Sequence, residues 1–220
     1  MPQYNKAEVG ELAKEFGFVR DTFEKVLRLQ EIPQFINEQE ELKQHLLLKG
    51  GTAINLTVFD DGLAIQTVAP MEIFAAKGNA LINRAAARDL YDWGNLIAAD
   101  LFVNGKDLFR KCFAFYTTIS SEKDRINATF DVSAIDSLNF TKIRRDLFLV
   151  ISKKDNFKLE ERKDQAKAYI SSLMQLTDVE REYMERFAAK EYRPELLFED
   201  EKIIERLEGH PMALWKCKKG

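Results

Sequence analysis

Proline is scarce in this chain, five residues in 220, and glycine is little commoner at ten. So few backbone breakers, with no Ser-, Pro- or Gly-rich linker, exclude a loop-built chain and favour helices. Cysteine is scarcer still. Cys112 and Cys217 stand far apart and fit no metal or redox spacing, which predicts thiols in a reducing cytosol rather than a disulfide framework. His45 and His210 are isolated, so neither is assigned catalysis. No apolar run approaches the ~18 residues of a membrane span, so no membrane is expected among the partners. Met1 to Glu15 is too polar and charged for a signal peptide. An excess of one charge is missing too. A net charge of −3 does not advertise nucleic-acid binding, although a local basic patch can sit on an acidic protein. Finally, no Asp-x-Asp pair lies near the Gly-Gly-Thr turn at Gly50. Phosphoryl transfer on such a turn normally needs that pair to hold Mg²⁺.

What is present is ordinary in amount: 45% hydrophobic residues, enough to bury a core as one large domain or two small ones. Residues 21–31 place Phe23, Val26, Leu27 and Gln30 on one helical face, with Asp21 as the expected N-cap. Pro33 should interrupt or bend that run. Leu46 to Leu48 and residues 63–69 read as short strands, the second ended by Pro70. Residues 71–99 read as one long helix or two abutting ones. Later, residues 107–119, 141–151, 159–175, 178–190 and 200–208 all carry apolar positions at helical spacing. Thr177-Asp178-Val179-Glu180 has the pattern of a capping box. Asp131 to Phe140 reads as a loop with a short helical turn. The expected fold class is therefore α+β and mostly helical, a small α/β portion over 1–100 followed by a C-terminal helical bundle over 101–220.

The chemistry-bearing residues lie between Lys49 and Asp92. Gly50-Gly51-Thr52 allows close backbone approach to a phosphate and adds a hydroxyl, although Gly-Gly also marks ordinary strand-to-helix corners. Lys77, Leu81, Arg84 and Arg88 return to nearly one angle if 71–92 is a single helix. The small and apolar neighbours Ile73 to Ala76 and Ala85 to Ala87 make this a half-buried cationic line rather than a solvated one. If the alanine run is a turn, Arg84 and Arg88 can still converge. Asp89 and Asp92 are one helical step apart and can share one ligand; the plainer alternative is a local ion pair with Arg88. Tyr91 and Trp93 imply that part of this helix is packed. Asp60-Asp61, followed by Gly62, reads as a turn, because adjacent strand residues point to opposite faces.

"EKVLRLQEI" leading into "HLLLKGGTAINLTVF", and "MEIFAAKGNALINRAAARDLYDWGNLI", resemble the AbiEii/AbiGii toxin family of nucleotidyltransferases, in the DNA polymerase β-like superfamily. "ELLFEDEKIIERLEGHPMALWK" resembles the family's C-terminal helical region. The resemblance implies a toxin of a toxin–antitoxin system that transfers a nucleoside monophosphate from an NTP, with Mg²⁺, to an acceptor such as tRNA. A cognate antitoxin is an implied partner. Carried over by position, Gly50, Gly51 and Thr52 would meet the triphosphate with Lys77 and Arg88. Lys77 and Asp89 would be catalytic, and Asp92 would be a metal ligand. The chain departs from the family at one place. The family follows Gly-Gly-Thr-Ala-x-x-Leu with an Arg-x-Ser-x-Asp-Ile-Asp-like strand and a long stretch of sheet and helix. Here Phe59 passes into Asp60-Asp61-Gly62 and soon into the segment before Lys77. A natural remnant, an internal deletion and a numbering that closes over a missing segment all fit that departure. The alternative function is a non-catalytic helical module that docks an antitoxin or a second copy.

Overall fold

The structure is a computed structural model, and it describes residues 5–46, 67–120, 131–173 and 175–218. It is mostly helical with almost no strand. In chain order the helices are α1 (Lys6–Phe16), α2 (Arg20–Glu38), α3 (Glu40–His45), α4 (Pro70–Arg84), α5 (Ala87–Ala99), α6 (Lys106–Ser120), α7 (Phe140–Asp146), α8 (Leu159–Leu173), α9 (Asp178–Ala188), α10 (Glu201–Glu208) and α11 (Pro211–Lys218). They form two compact units: Met1–Ile73 with Leu138–Arg162, and Phe74–Ser137 with Lys163–Gly220. Residue 100 falls inside the second unit.

In the first unit α1 opens with a capping box that composition did not reveal. The Asn5 side chain accepts from the backbone N–H groups of Ala7 and Glu8, and Glu8 accepts in return from the Asn5 N–H. The helix ends at Gly17, whose φ of 79° lies in the left-handed region that glycine adopts without strain. The carbonyls left over at that end are taken up by the segment after α7. Ser152 Oγ donates to Phe16 O at 2.7 Å, and the Lys153 N–H donates to Gly17 O at 2.7 Å. A side chain at Gly17 would also meet Ser152 Oγ at 2.7 Å. Phe23 then stacks on Phe16 and Phe18, with ring centroids 5.7 and 6.1 Å apart.

Two expectations for α2 need correction. Asp21 is not the N-cap; Val19 holds that position, and Asp21 sits in the first turn with Arg20 on its carboxylate. Nor does Pro33 interrupt the helix, which runs on through it to Glu38 with Pro33 buried; of the two expected effects, interruption is the one the helix excludes. Of the expected strands, Leu47, Leu48 and residues 63–66 lie outside the described residues. Leu46 is an extended residue closing α3. Thr67 makes a single bridge, and Pro70 begins α4 rather than merely ending a strand.

The second unit is built around Trp93 of α5, which is fully buried. Its ring meets Phe109 and Phe113 of α6 at 6.0 and 5.9 Å, and Tyr169 of α8 at 5.8 Å. Its indole N–H donates to Phe74 O of α4 at 3.2 Å, so the polar end of the ring is satisfied inside the core. α9 joins α6 through an ion pair with little solvent. Arg110 Nε donates to both oxygens of the buried Glu180 at 3.0 Å. Glu180 also closes the capping box with Thr177 that the sequence pattern predicts. The later helices follow the expected spans, although the 141–151 run is helical only to Asp146 and continues as turns. Asp131 to Phe140 does hold one short 3₁₀ turn, Ser133–Ser137. Among the described residues no helix is long and apolar enough to cross a membrane.

Candidate functional site

The segment expected as one long helix or two abutting ones is two. α4 stops at Arg84, Ala85 takes a φ of 47°, and Ala86 is extended before α5 starts at Ala87. Left-handed backbone costs an alanine roughly 1 kcal/mol, so the turn is imposed by what it brings together. Asp89 lies in the first turn of α5, where a carboxylate also suits the helix dipole.

Across this turn Lys77 of α4 reaches two carboxylates of α5. Its Nζ lies 3.4 Å from Asp89 Oδ1 and donates to Asp92 Oδ2 at short range. The one ligand that Asp89 and Asp92 share is thus a lysine of their own chain. Arg84 completes the group, with Nε and Nη2 donating to Asp89 Oδ2 at 3.1 and 2.9 Å. Asp89 and Asp92 are buried, and the Lys77 side chain is 14% exposed. The Arg84 side chain is 67% exposed.

The cationic line therefore splits. Lys77 and Leu81 turn inward, Leu81 entirely so, while Arg84 stays at the surface with its head on Asp89. Because α4 ends at Arg84, the single-helix angle argument does not reach Arg88. That residue is exposed and acts on Asp92 through space, as the weakest of the charges around it. Gly50, Gly51, Thr52, Asp60 and Asp61 lie outside the described residues. Gly78 was not anticipated from the sequence. It packs its bare backbone against Trp93, and so sets how closely α4 and α5 approach beside Lys77. Asn79 is likewise buried, and it accepts from Asn83 one turn on at 2.8 Å.

Burial pushes the Asp92 carboxyl above the ordinary aspartate value, and the Lys77 charge and hydrogen bond oppose that shift without cancelling it. A carboxyl with a higher pKa folded than unfolded binds more protons in the native state. Its contribution to stability is full below the unfolded value, about 4, and is lost as pH rises through the folded value. The stability of wild type relative to Asp92→Asn should therefore fall as pH rises from about 4 through the folded value. Urea unfolding of both proteins across that range measures it. A difference that grows with pH would show that Asp92 is instead stabilised as the anion.

Two carboxylates held by an ammonium and a guanidinium make a nearly neutral cluster. That donor set suits the lysine already in it and does not suit a resident divalent ion, which would sit beside a half-buried ammonium. Among the described residues no three His, Cys, Asp or Glu side chains gather as metal ligands. An exposed guanidinium next to this neutral core can still receive an anion. Compared as a whole, the chain matches no protein-family model, no curated protein and no solved structure.

Proposed function

We propose that the chain is a nucleotidyltransferase-type toxin component with a shortened catalytic portion. One observation carries this reading. Lys77, Asp89 and Asp92, three of the residues that the family resemblance marks, are separated by 12 and 15 positions from Lys77 to the two carboxylates and still meet at one point with little solvent. The reaction is attack of an acceptor hydroxyl, such as that of a tRNA, on the α-phosphorus of an NTP. The new P–O bond replaces the bond to the β-phosphate oxygen, pyrophosphate leaves with that electron pair, and the hydroxyl proton passes to solvent. Mg²⁺ enters as the counter-ion of the NTP. The cations of the cluster offset charge on the phosphates.

The sequence carries no Asp-x-Asp pair near the Gly-Gly-Thr turn, and so lacks the main electrostatic support for the step. Weak binding of Mg–NTP and very slow transfer are expected. Incubation with α-phosphate-labelled NTPs and tRNA, alongside equilibrium binding, measures both. Fast labelling would contradict the importance of the missing pair. Absence of nucleotide binding would overturn the reading and favour a helical protein-binding module, for which the exposed Val26, Leu29, Ile32 and Phe35 of α2 are the supporting observation.

A further inference from the structure

Resting on the nucleotidyltransferase reading, we propose that Arg84, rather than Lys77, is the residue that contacts the NTP phosphates, with Asp89 as its positioning residue. Three features of the cluster carry this assignment.

The first is availability. Lys77 is held by Asp89 and Asp92 together and is only 14% exposed, whereas Arg84 is 67% exposed. Drawing Lys77 onto a phosphate would take the hydrogen-bonded cation away from the buried Asp92 and leave Asp89 with Arg84 alone, and poorly compensated buried charge is strongly unfavourable. Arg84 can bind an anion without giving up its own ion pair. The second is geometry. A guanidinium has five N–H groups in a fixed plane. Nε and Nη2 each donate to the single oxygen Asp89 Oδ2, along one edge of that plane. The Nη1/Nη2 edge remains, and it matches two phosphate oxygens in the bidentate manner that a lysine cannot reproduce. The third is orientation. Asp89 is buried and sits on the first turn of α5, so the acceptor that holds the Arg84 head is itself fixed. A long surface side chain normally loses rotamer freedom on binding, and an acceptor that pre-orders it removes part of that cost.

The experiment is isothermal titration of Mg–ATP and of inorganic pyrophosphate into wild type, Arg84→Ala and Arg84→Lys, with an RNA oligomer as a third titrant. Arg84→Ala should weaken Mg–ATP and pyrophosphate about tenfold to a hundredfold, the loss of one charge-assisted contact. Arg84→Lys should recover only a minor part, since it restores the charge and not the planar edge. Asp89→Asn should weaken binding in the wild-type background and have little further effect in the Arg84→Ala background. A purely structural role for Asp89 would give the same loss in both. Equal affinity of wild type and Arg84→Ala overturns the inference and leaves the nucleotidyltransferase reading standing. No binding of Mg–ATP or pyrophosphate to wild type overturns both. A loss confined to RNA overturns the inference in favour of a nucleic-acid contact. Should Arg84→Ala fail to fold, Arg84→Lys decides alone, because it keeps the cation beside Asp89; wild-type affinity in that variant counts against the planar-edge contact.

Discussion

Gly78→Ala is expected to destabilise the protein by about 3 kcal/mol, the upper range for inserting one methyl into a packed core. A Cβ built at Gly78 would lie 2.1 Å from Trp93 Cζ2, 2.4 Å from Phe113 Cε2 and 2.6 Å from Trp93 Cε2. None of these atoms is the loose end of a flexible chain. Trp93 is pinned by its hydrogen bond to Phe74 O and by rings on three sides. Relief must come from moving α4 away from α5 and α6, which would also pull Lys77 off its carboxylates. Urea unfolding with tryptophan fluorescence reads both the loss of stability and the altered surroundings of Trp93. A loss under about 1 kcal/mol would mean that α4 does not pack this closely on Trp93.

Lys77→Ala should cost a similar amount, about 3 kcal/mol, or roughly 10 °C in Tm for a chain of this size. The substitution takes the hydrogen-bonded cation away from Asp92 in the interior, leaving Arg84 on Asp89 and Arg88 acting on Asp92 through space. Adding Asp92→Asn to Lys77→Ala should restore part of the loss, because it removes that poorly compensated charge. Thermal unfolding of the two single variants and the double variant checks this. Strictly additive losses would show that Lys77 and Asp92 do not interact.

The contrast between the two glycine and lysine neighbours shows what local pattern can carry. Helical spacing located α6, α8, α9 and α10, because residues such as Cys112, Phe115, Tyr183, Met184 and Phe187 recur on one face and are buried there. Even so, Leu108 and Val179 sit on those helices and are exposed, so periodicity located elements better than it sorted each side chain. The capping box at Thr177 was legible because it is a contact within four residues. α1 and α3 were missed: in α1 the cap is an asparagine, and α3 is a six-residue polar stretch. The turn at Ala85 was one of two alternatives the sequence left open, and local preference pointed to the other. Three successive alanines have the strongest intrinsic helix preference, and the break arises from contacts across the turn. In the site, the i, i+3 spacing allowed Asp89 and Asp92 to share a ligand, while the identity of that ligand, Lys77, 12 and 15 positions away from them, had to be seen in space. That Arg84 reaches Asp89 followed from where α4 ends.

The central claim is that nucleotide phosphates meet this protein at the α4–α5 turn. Amide and Arg side-chain resonances of isotopically labelled protein, followed during titration with Mg–ATP, test it most directly. Saturable shifts concentrated between Lys77 and Asp92, including the Arg84 Nε–H, are the predicted result. Shifts absent from that segment, with nucleotide bound elsewhere or not at all, would contradict it.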